Sequence, residues 1–171
     1  MNAVTHMEVI PLIKDNKVWL GANKRIMDFI TSEGLIPINT VWFTNIGHNK
    51  RPKPLDLTHT YSAERYPKYD NYDAINVDKV KDIPYDYDGV IAAPITVLFY
   101  NPQQFEIIGC ADANVLPNGW SGMTKEFLDL YYSQGGTGQY QVGNRLEFYI
   151  TKDGKAKRPY KRILIKLKNL L

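Results

Sequence analysis

The spacing of apolar and polar positions predicts short strands and helices separated by long irregular stretches. Val18-Trp19-Leu20 is an uninterrupted apolar run that ends at Gly21, as a short buried strand does. Asn39 to Asn45 is rich in β-branched and aromatic residues and predicts a second strand. Residues 24–30 fit either a helical face or an extended run, and the pattern alone leaves both open.

Two helices are predicted from their capping residues. Thr5-His6-Met7-Glu8 has the spacing of a capping box, and a helix from about His6 to Lys14 is expected after it. Pro11 lies too deep for the first turn of that helix, so the helix should be short or kinked. Thr124 is placed to cap a second helix over residues 125–132.

Strand patterns return in the second half of the chain. Phe105 to Cys110 predicts a strand, and Ile91 to Tyr100 predicts a strand or a short helix. Leu146 to Thr151 and Arg162 to Leu167 alternate apolar and polar residues on either side of a basic loop that begins with the turn Asp153-Gly154. We therefore expect these two segments to pair as one long hairpin. The predicted fold class is α+β, with a mixed, largely antiparallel sheet, few short helices and long loops.

The stretch from Tyr61 to Tyr87 follows neither period and predicts a long loop packed against itself, a type of segment that often carries function. Residues 66–88 contain five tyrosines among six aspartates and three lysines, a net charge of −3 that makes a poor phosphate ligand. Amides can still read adenine edges, and tyrosines can stack on an unpaired base. The candidate DNA contacts here are Tyr69, Asn71, Tyr72 and Asn76. The alternative is that Tyr and Asp side chains hold the loop together through bonds to the backbone.

Basic residues gather in two places. Lys50 to Pro54 cannot continue a sheet and predicts an exposed basic loop. Residues 145–171 hold nine basic and two acidic residues, a net charge of +7. Such clusters give affinity for a polyanion without reading its sequence, although a solvated loop or a charged edge strand that blocks aggregation would look similar. The candidate phosphate contacts are His48, Asn49, Lys50, Arg51 and Lys53 in the first cluster, and Lys155, Lys157, Arg158, Lys161 and Arg162 in the second.

Composition narrows the function classes. A chain of 171 residues with 44% hydrophobic and 23% charged residues is expected to form one globular domain. Its single cysteine, Cys110, follows apolar residues and is expected to be a small buried residue in a reducing compartment. No apolar run approaches the roughly 20 residues of a membrane span, so we expect a cytoplasmic protein without a membrane partner. The scattered histidines and the spacing of the aspartates predict no metal site.

Several runs carry a family resemblance. They are Trp42-Phe43-Thr44-Asn45, the segment Tyr66 to Gly109 that begins YPKYDNYDAINVDKV and continues through IPYDYDG and PIT, and Tyr160 to Ile165. Over nearly its full length, the chain resembles the C-terminal part of the EcoRI-type adenine-specific DNA methyltransferases. The resemblance favours an extended conformation at residues 24–30. It departs from the family at Gly21 to Thr40, which is shorter or more divergent than usual.

The resemblance implies a DNA adenine N6-methyltransferase of a restriction-modification system. Such an enzyme needs a glycine-containing turn and an acidic residue for S-adenosylmethionine, and an Asn/Asp-Pro-Pro-aromatic motif that holds a flipped-out adenine. None of the three occurs in this sequence, where Asn101-Pro102 is followed by Gln103. We therefore expect the C-terminal part of such an enzyme, which binds DNA but is inactive alone. We expect no catalytic residue and no cofactor-binding residue in this chain. S-adenosylmethionine is the cofactor of the intact family.

The resemblance also implies an internal organisation. Residues 1–46 would be the last elements of a Rossmann-like methyltransferase sheet, and residues 47–171 a family-specific region that engages target DNA, in one compact unit. The expected partners are DNA and either an N-terminal methyltransferase segment or a second copy, because a truncated sheet exposes an edge. Two alternatives stay open: a stand-alone nucleic-acid-binding or protein-interaction module, and a magnesium-dependent phosphodiester hydrolase that uses the aspartate-rich loop.

Overall fold

Short strands and two short helices make up the fold, which a computed structural model describes over residues 7–21, 25–48, 53–111, 119–144 and 148–168. In chain order the elements are α1 (Val9–Lys14), β1 (Trp19–Leu20), β2 (Arg25–Thr31), β3 (Gly34–Thr40), β4 (Phe43–Thr44), β5 (Ala74–Asn76), β6 (Val90–Ala93), β7 (Phe105–Cys110), α2 (Lys125–Ser133), β8 (Ile150–Lys152), β9 (Lys155–Lys157) and β10 (Ile163–Leu167). Single 3₁₀ turns lie at Val80–Asp82, Ile95–Phe99 and Pro102–Gln104. The predicted α+β class with few short helices is confirmed.

A four-stranded sheet in the order β5-β6-β10-β7 forms the centre of the molecule. β5 runs parallel to β6, while β10 is antiparallel to both β6 and β7. Ile163, Leu164 and Ile165 of β10 are all fully buried. Since neighbouring strand residues point to opposite faces, this strand is covered by side chains on both faces of the sheet.

Each face of the sheet has its own hydrophobic core. Ile163 and Ile165 pack in the larger core together with Ile13 of α1 and Leu20 of β1, so the first elements of the chain share this core with the central sheet. Leu164 packs in a second core with partners that include Tyr69, Phe148 and Ile150. A third, smaller cluster lies under α2 and is built from Met123, Phe127, Leu128 and Tyr149.

The predicted hairpin between Leu146 to Thr151 and Arg162 to Leu167 is wrong. β8 instead pairs with β9, and β10 enters the central sheet. Asp153 and Gly154 both have positive φ, 51° and 69°, as the two central residues of a type I′ turn do. This turn sends the chain straight back along β8, so the basic segment that was predicted as a loop forms a strand.

An apolar hairpin of β2 and β3 lies outside the cores. The extended conformation favoured for residues 24–30 is confirmed over residues 25–30, while residue 24 lies outside the described residues. The single strand predicted over Asn39 to Asn45 is split between the end of β3 and β4. Large apolar side chains on this hairpin are 42–88% exposed, and they are Ile26, Met27, Phe29, Ile30, Leu35, Ile36 and Ile38. Apolar residues on both faces of a two-stranded ribbon explain why the sequence shows no alternation there.

The helices largely follow their predicted positions. α1 begins at Val9, so Pro11 is its third residue and lies within the first turn, where a missing N–H costs nothing. The prediction that Pro11 lies too deep is therefore wrong, although the helix is short. The Oγ1 atom of Thr124 accepts from the Phe127 N–H at 3.2 Å and caps α2, as predicted. The proposed cap Thr5 falls outside the described residues. Over the described ranges, neither helix is long enough or apolar enough to cross a membrane.

Candidate functional site

The stretch from Tyr61 to Tyr87 is packed against itself through hydrogen bonds to the backbone. Tyr66 donates from its hydroxyl to the Asp82 carbonyl at 2.7 Å, and the Asp86 carboxylate accepts from the Tyr61 N–H at 2.7 Å. The Asp70 carboxylate accepts from the Thr151 N–H at 2.8 Å. The alternative that Tyr and Asp side chains hold this loop together is confirmed, with the correction that β5 and a 3₁₀ turn lie within it.

The amides of Asn71 and Asn76 are bonded within the protein. Asn71 accepts from the Tyr149 N–H at 3.1 Å through Oδ1 and donates to the Ser121 carbonyl at 3.2 Å through Nδ2. Asn76 accepts from the Tyr69 hydroxyl at 2.8 Å and donates to Asp78 at 3.0 Å. Both asparagines are buried. Their contacts support a structural role, and the reading of base edges stays a prediction.

Tyr69 and Tyr72 both pack against Phe148. The Tyr72 ring is stacked on Phe148 with centroids 4.7 Å apart, and the Tyr69 ring is tilted at 4.9 Å. Tyr69 is buried and Tyr72 half-buried. These rings therefore already have aromatic partners inside the fold.

The first basic cluster is only partly described. The Nε2 atom of His48 lies 2.7 Å from the Leu20 carbonyl, which requires the proton to be on Nε2 and ties this segment to β1. The side chain of Lys53 is exposed, and its carbonyl accepts from the Asn101 N–H at 2.9 Å. Asn49, Lys50 and Arg51 lie outside the described residues.

The second basic cluster is organised by the β8–β9 hairpin. The register pairs Lys152 with Lys155 and Ile150 with Lys157. Directly opposed residues share a face, and so do residues two apart on one strand. Lys152, Lys155 and Lys157 therefore lie on one face of the hairpin, called here the lysine face, and all three residues are exposed. Ala156 on the opposite face packs against the cluster under α2.

The arginines of the second cluster are anchored in the fold. Arg158 lies over the Tyr140 and Tyr131 rings, at 4.1 and 4.9 Å from their centroids, and donates from Nη1 to the Tyr140 hydroxyl. Arg162 donates from Nη2 to Asp78 at 2.8 Å and from Nε to Asn76 at 3.3 Å. These contacts give both arginines a structural role, whereas the side chain of Lys161 is exposed.

A cleft of about 380 Å³ runs beside the lysine face. Its lining includes Lys152, Lys157, Tyr160 and Asp78, and a neighbouring cleft continues along Lys152 and Asp153. Lys152, Asp78 and Tyr160 were not among the predicted site residues. The Asp153-Gly154 turn could have identified Lys152 from the sequence. A two-residue hairpin loop fixes the strand register and therefore places Lys152 opposite Lys155.

Comparison with known proteins identifies the family. A profile of the family described as adenine-specific methyltransferase EcoRI matches residues 1–168. The chain belongs to this family. The resemblance predicted from the sequence is thereby confirmed, and with it the assignment to adenine-specific DNA methyltransferases.

Three curated relatives of the EcoRI-type family are similar to this chain. Type II methyltransferase M.EcoRI of Escherichia coli is 44% identical, with 63% of this chain and 40% of the relative covered. M.MpnI of Mycoplasma pneumoniae is 34% identical and M.MgeORF184P of Mycoplasma genitalium 33% identical, each with 63% of this chain and 41% of the relative covered. The chain thus spans about two fifths of the length of these relatives. No solved structure matches it significantly.

The described parallel strands of this EcoRI-type chain lack the turn that a Rossmann-like S-adenosylmethionine site uses. A Rossmann-like cofactor site needs a glycine-rich turn between a parallel strand and the start of a helix. Among the described residues, β5 and β6 are the parallel pair. β5 is followed by residues 77–79 and β6 by Pro94, and neither strand leads into a glycine-rich turn. The positive-φ glycines Gly34 and Gly154 belong instead to hairpin turns. Over the same described ranges, no three His, Cys, Asp or Glu side chains come together as a metal site.

Burial of Tyr69 makes the stability of the fold sensitive to alkaline pH. Desolvation raises the pKa of Tyr69 well above its ordinary value of 10.0. Since the folded chain favours neutral tyrosine, the stabilisation is complete below pH 10 and is lost as the pH rises above 10, by about 1.4 kcal/mol per unit. We expect urea midpoints to fall steeply in this range, and Tyr69→Phe to flatten the fall. The exposed control Tyr85→Phe should keep the parental profile, and an unchanged profile in Tyr69→Phe would contradict the assignment.

Proposed function

We propose that this chain is the target-DNA-engaging portion of a site-specific DNA adenine N6-methyltransferase of a restriction-modification system. The lysine face of the β8–β9 hairpin is the observation that carries the proposal. The chain acts on DNA in the cytoplasm and does not transfer a methyl group alone, because the groups that bind cofactor and adenine lie in other parts of the family's sequence. No described feature favours the hydrolase alternative.

The proposal divides the chain into two regions. Residues 1–46 supply the last elements of the methyltransferase sheet, and residues 47–171 supply the family-specific region that meets DNA. Within the first region, β1 pairs with β4. The first region attaches to the second where α1 packs against β7 and β1 packs against the 3₁₀ turn Ile95–Phe99. A shared core would hold the two regions in one fixed orientation.

The apolar β2–β3 hairpin is the proposed contact with the rest of the methyltransferase. Its exposed apolar side chains form the kind of surface that marks a protein interface. A two-stranded hairpin is marginally stable by itself and gains most from a covering partner. A catalytic segment of the same enzyme is the preferred partner, and a second copy of the chain is the alternative.

The lysine face suits the phosphate backbone of DNA. Three exposed lysines share one surface of the hairpin, and strand residues two apart are separated by about 6.6 Å. The Lys152 ammonium donates to the Glu64 carbonyl at 2.7 Å. No described carboxylate forms an ion pair with Lys155 or Lys157 within 4.0 Å. These lysines can therefore release counterions from DNA without first breaking a bond inside the protein.

Replacing Lys152, Lys155 and Lys157 together by glutamine tests the proposed function. We expect the affinity for duplex DNA at low salt to fall roughly tenfold to hundredfold, and the slope of log K against log salt to lose about 2 to 3 units. Fluorescence anisotropy over a salt series measures both quantities. All three side chains are exposed, so the variant should remain folded.

A matched control removes the same charge elsewhere. Lys14, Lys166 and Lys168 are exposed at the opposite end of β10 and can be replaced by glutamine in the same way. This control should retain most of the affinity and of the salt slope. Equal losses in the two triple variants would show that total charge, rather than the lysine face, binds DNA. No DNA binding by the parent chain at low salt would reject the proposed function.

A further inference from the structure

The segment KRPYKR, residues 157–162, is held at two points and presents one aromatic side chain between them. At the first point, the Arg158 guanidinium lies over the Tyr131 ring of α2 and the Tyr140 ring that follows it in the chain. At the second point, Arg162 donates to Asp78 and Asn76, and its side chain is only 11% exposed. Asn76 is in turn held by the Tyr69 hydroxyl. The backbone between the anchors is therefore fixed by two separate parts of the core.

Tyr160 stands out between these anchors. Its exposure is 89%, whereas Tyr66, Tyr69 and Tyr149 are buried. Pro159 restricts the backbone before it, so little conformational entropy is left to lose when a ligand binds. An aromatic side chain on a preorganised loop is a stacking platform that costs little to order.

Groups of opposite charge line the cleft around Tyr160. Lys152 and Lys157 line it from the hairpin side. Asp78, 75% exposed, lines it beside Arg162 and would repel a phosphate placed there. Phosphates therefore fit beside Lys152 and Lys157, and an uncharged planar group fits against the Tyr160 ring. A nucleotide with its base out of the duplex has both parts in one molecule.

We propose that Tyr160 stacks on an unpaired base of DNA while Lys152 and Lys157 contact the phosphates beside that base. This inference rests on the proposed function, and it adds a preference for DNA that contains an extrahelical base. Stacking on Tyr160 would produce the preference for the extrahelical base, whereas the lysine face would provide the affinity for paired DNA. The two contributions can therefore be measured separately.

The experiment compares a short duplex that carries one unpaired 2-aminopurine with the same duplex fully paired. We expect the parent chain to bind the unpaired form about tenfold more tightly and to quench the 2-aminopurine fluorescence. Tyr160→Phe keeps the ring and should keep the preference. Tyr160→Ala should lose both the preference and the quenching, while its affinity for the paired duplex stays within about twofold of the parent.

Tyr85→Ala is the matched control, because Tyr85 is also an exposed tyrosine on an irregular segment. It should behave like the parent chain with both DNA forms. A preference that persists in Tyr160→Ala, or a parent chain that binds both forms equally, would overturn this inference and leave the proposed function standing. Failure to bind either duplex would overturn both.

Discussion

Replacing Ile165 by alanine is expected to lower the free energy of unfolding by about 3 to 4 kcal/mol. Ile165 is fully buried and lies in β10, opposite Ile91 of β6 and Ile107 of β7. Removing its side chain leaves a cavity in the larger core, and strands fixed on both sides cannot move in to fill it. Urea denaturation followed by circular dichroism measures the change.

Lys166→Ala is the control for Ile165→Ala, since it truncates the next residue of the same strand at an exposed position. Lys166→Ala should change the free energy of unfolding by no more than about 0.5 kcal/mol. The comparison separates burial from any general sensitivity of β10 to substitution. A loss of less than about 1 kcal/mol in Ile165→Ala would contradict the central position of this strand.

Replacing Asn71 by leucine should lower the free energy of unfolding by about 2 kcal/mol, for a different reason. Leucine has the same branching as asparagine but is larger, and it leaves the Tyr149 N–H and the Ser121 carbonyl without their partner. An unsatisfied buried polar group costs about 1 to 3 kcal/mol, and the buried Tyr149 N–H becomes one, whereas Ser121 is exposed and its carbonyl can bind water. Chemical denaturation at neutral pH measures the loss.

Asp73→Asn is the control for Asn71, because Asp73 lies two residues away on the same loop and is exposed. It removes a surface ion pair with Lys68, and such pairs contribute less than about 1 kcal/mol. If Asn71→Leu is as stable as the parent but binds DNA poorly, the amide reads DNA and does not hold the fold. The hydrogen bonds predict the opposite outcome.

The sequence predicted the short elements well where the signal was local. The Thr124 cap, the apolar run at residues 18–20 and the strand at Phe105 to Cys110 all depend on near neighbours in the chain. The pairing of β10 could not be predicted in the same way, since β6 and β7 are distant in sequence. The uninterrupted run Ile163-Leu164-Ile165 was a usable signal, because burial on both faces requires a central strand.

The candidate site shows the same limit. Charge counting drew attention to residues 145–171, but it treated lysines and arginines alike. The structure gives Arg158 and Arg162 anchoring roles through planar contacts that a guanidinium makes well. It leaves Lys155 and Lys157 on the surface. Which basic residues are available depends on tertiary partners such as Tyr140 and Asp78, and no local pattern reveals them.

The position of β10 in the sheet has a consequence for the order in which the chain folds during synthesis. β6 and β7 do not pair with each other, and the strand that joins them begins at Ile163, after β7 ends at Cys110. During translation, β6 and β7 therefore leave the ribosome long before β10 does. Until then each presents a bare hydrogen-bonding edge next to apolar side chains, which other nascent chains or chaperones can engage. The sheet can close only after translation has passed Leu167, so assembly of this domain depends on one late event.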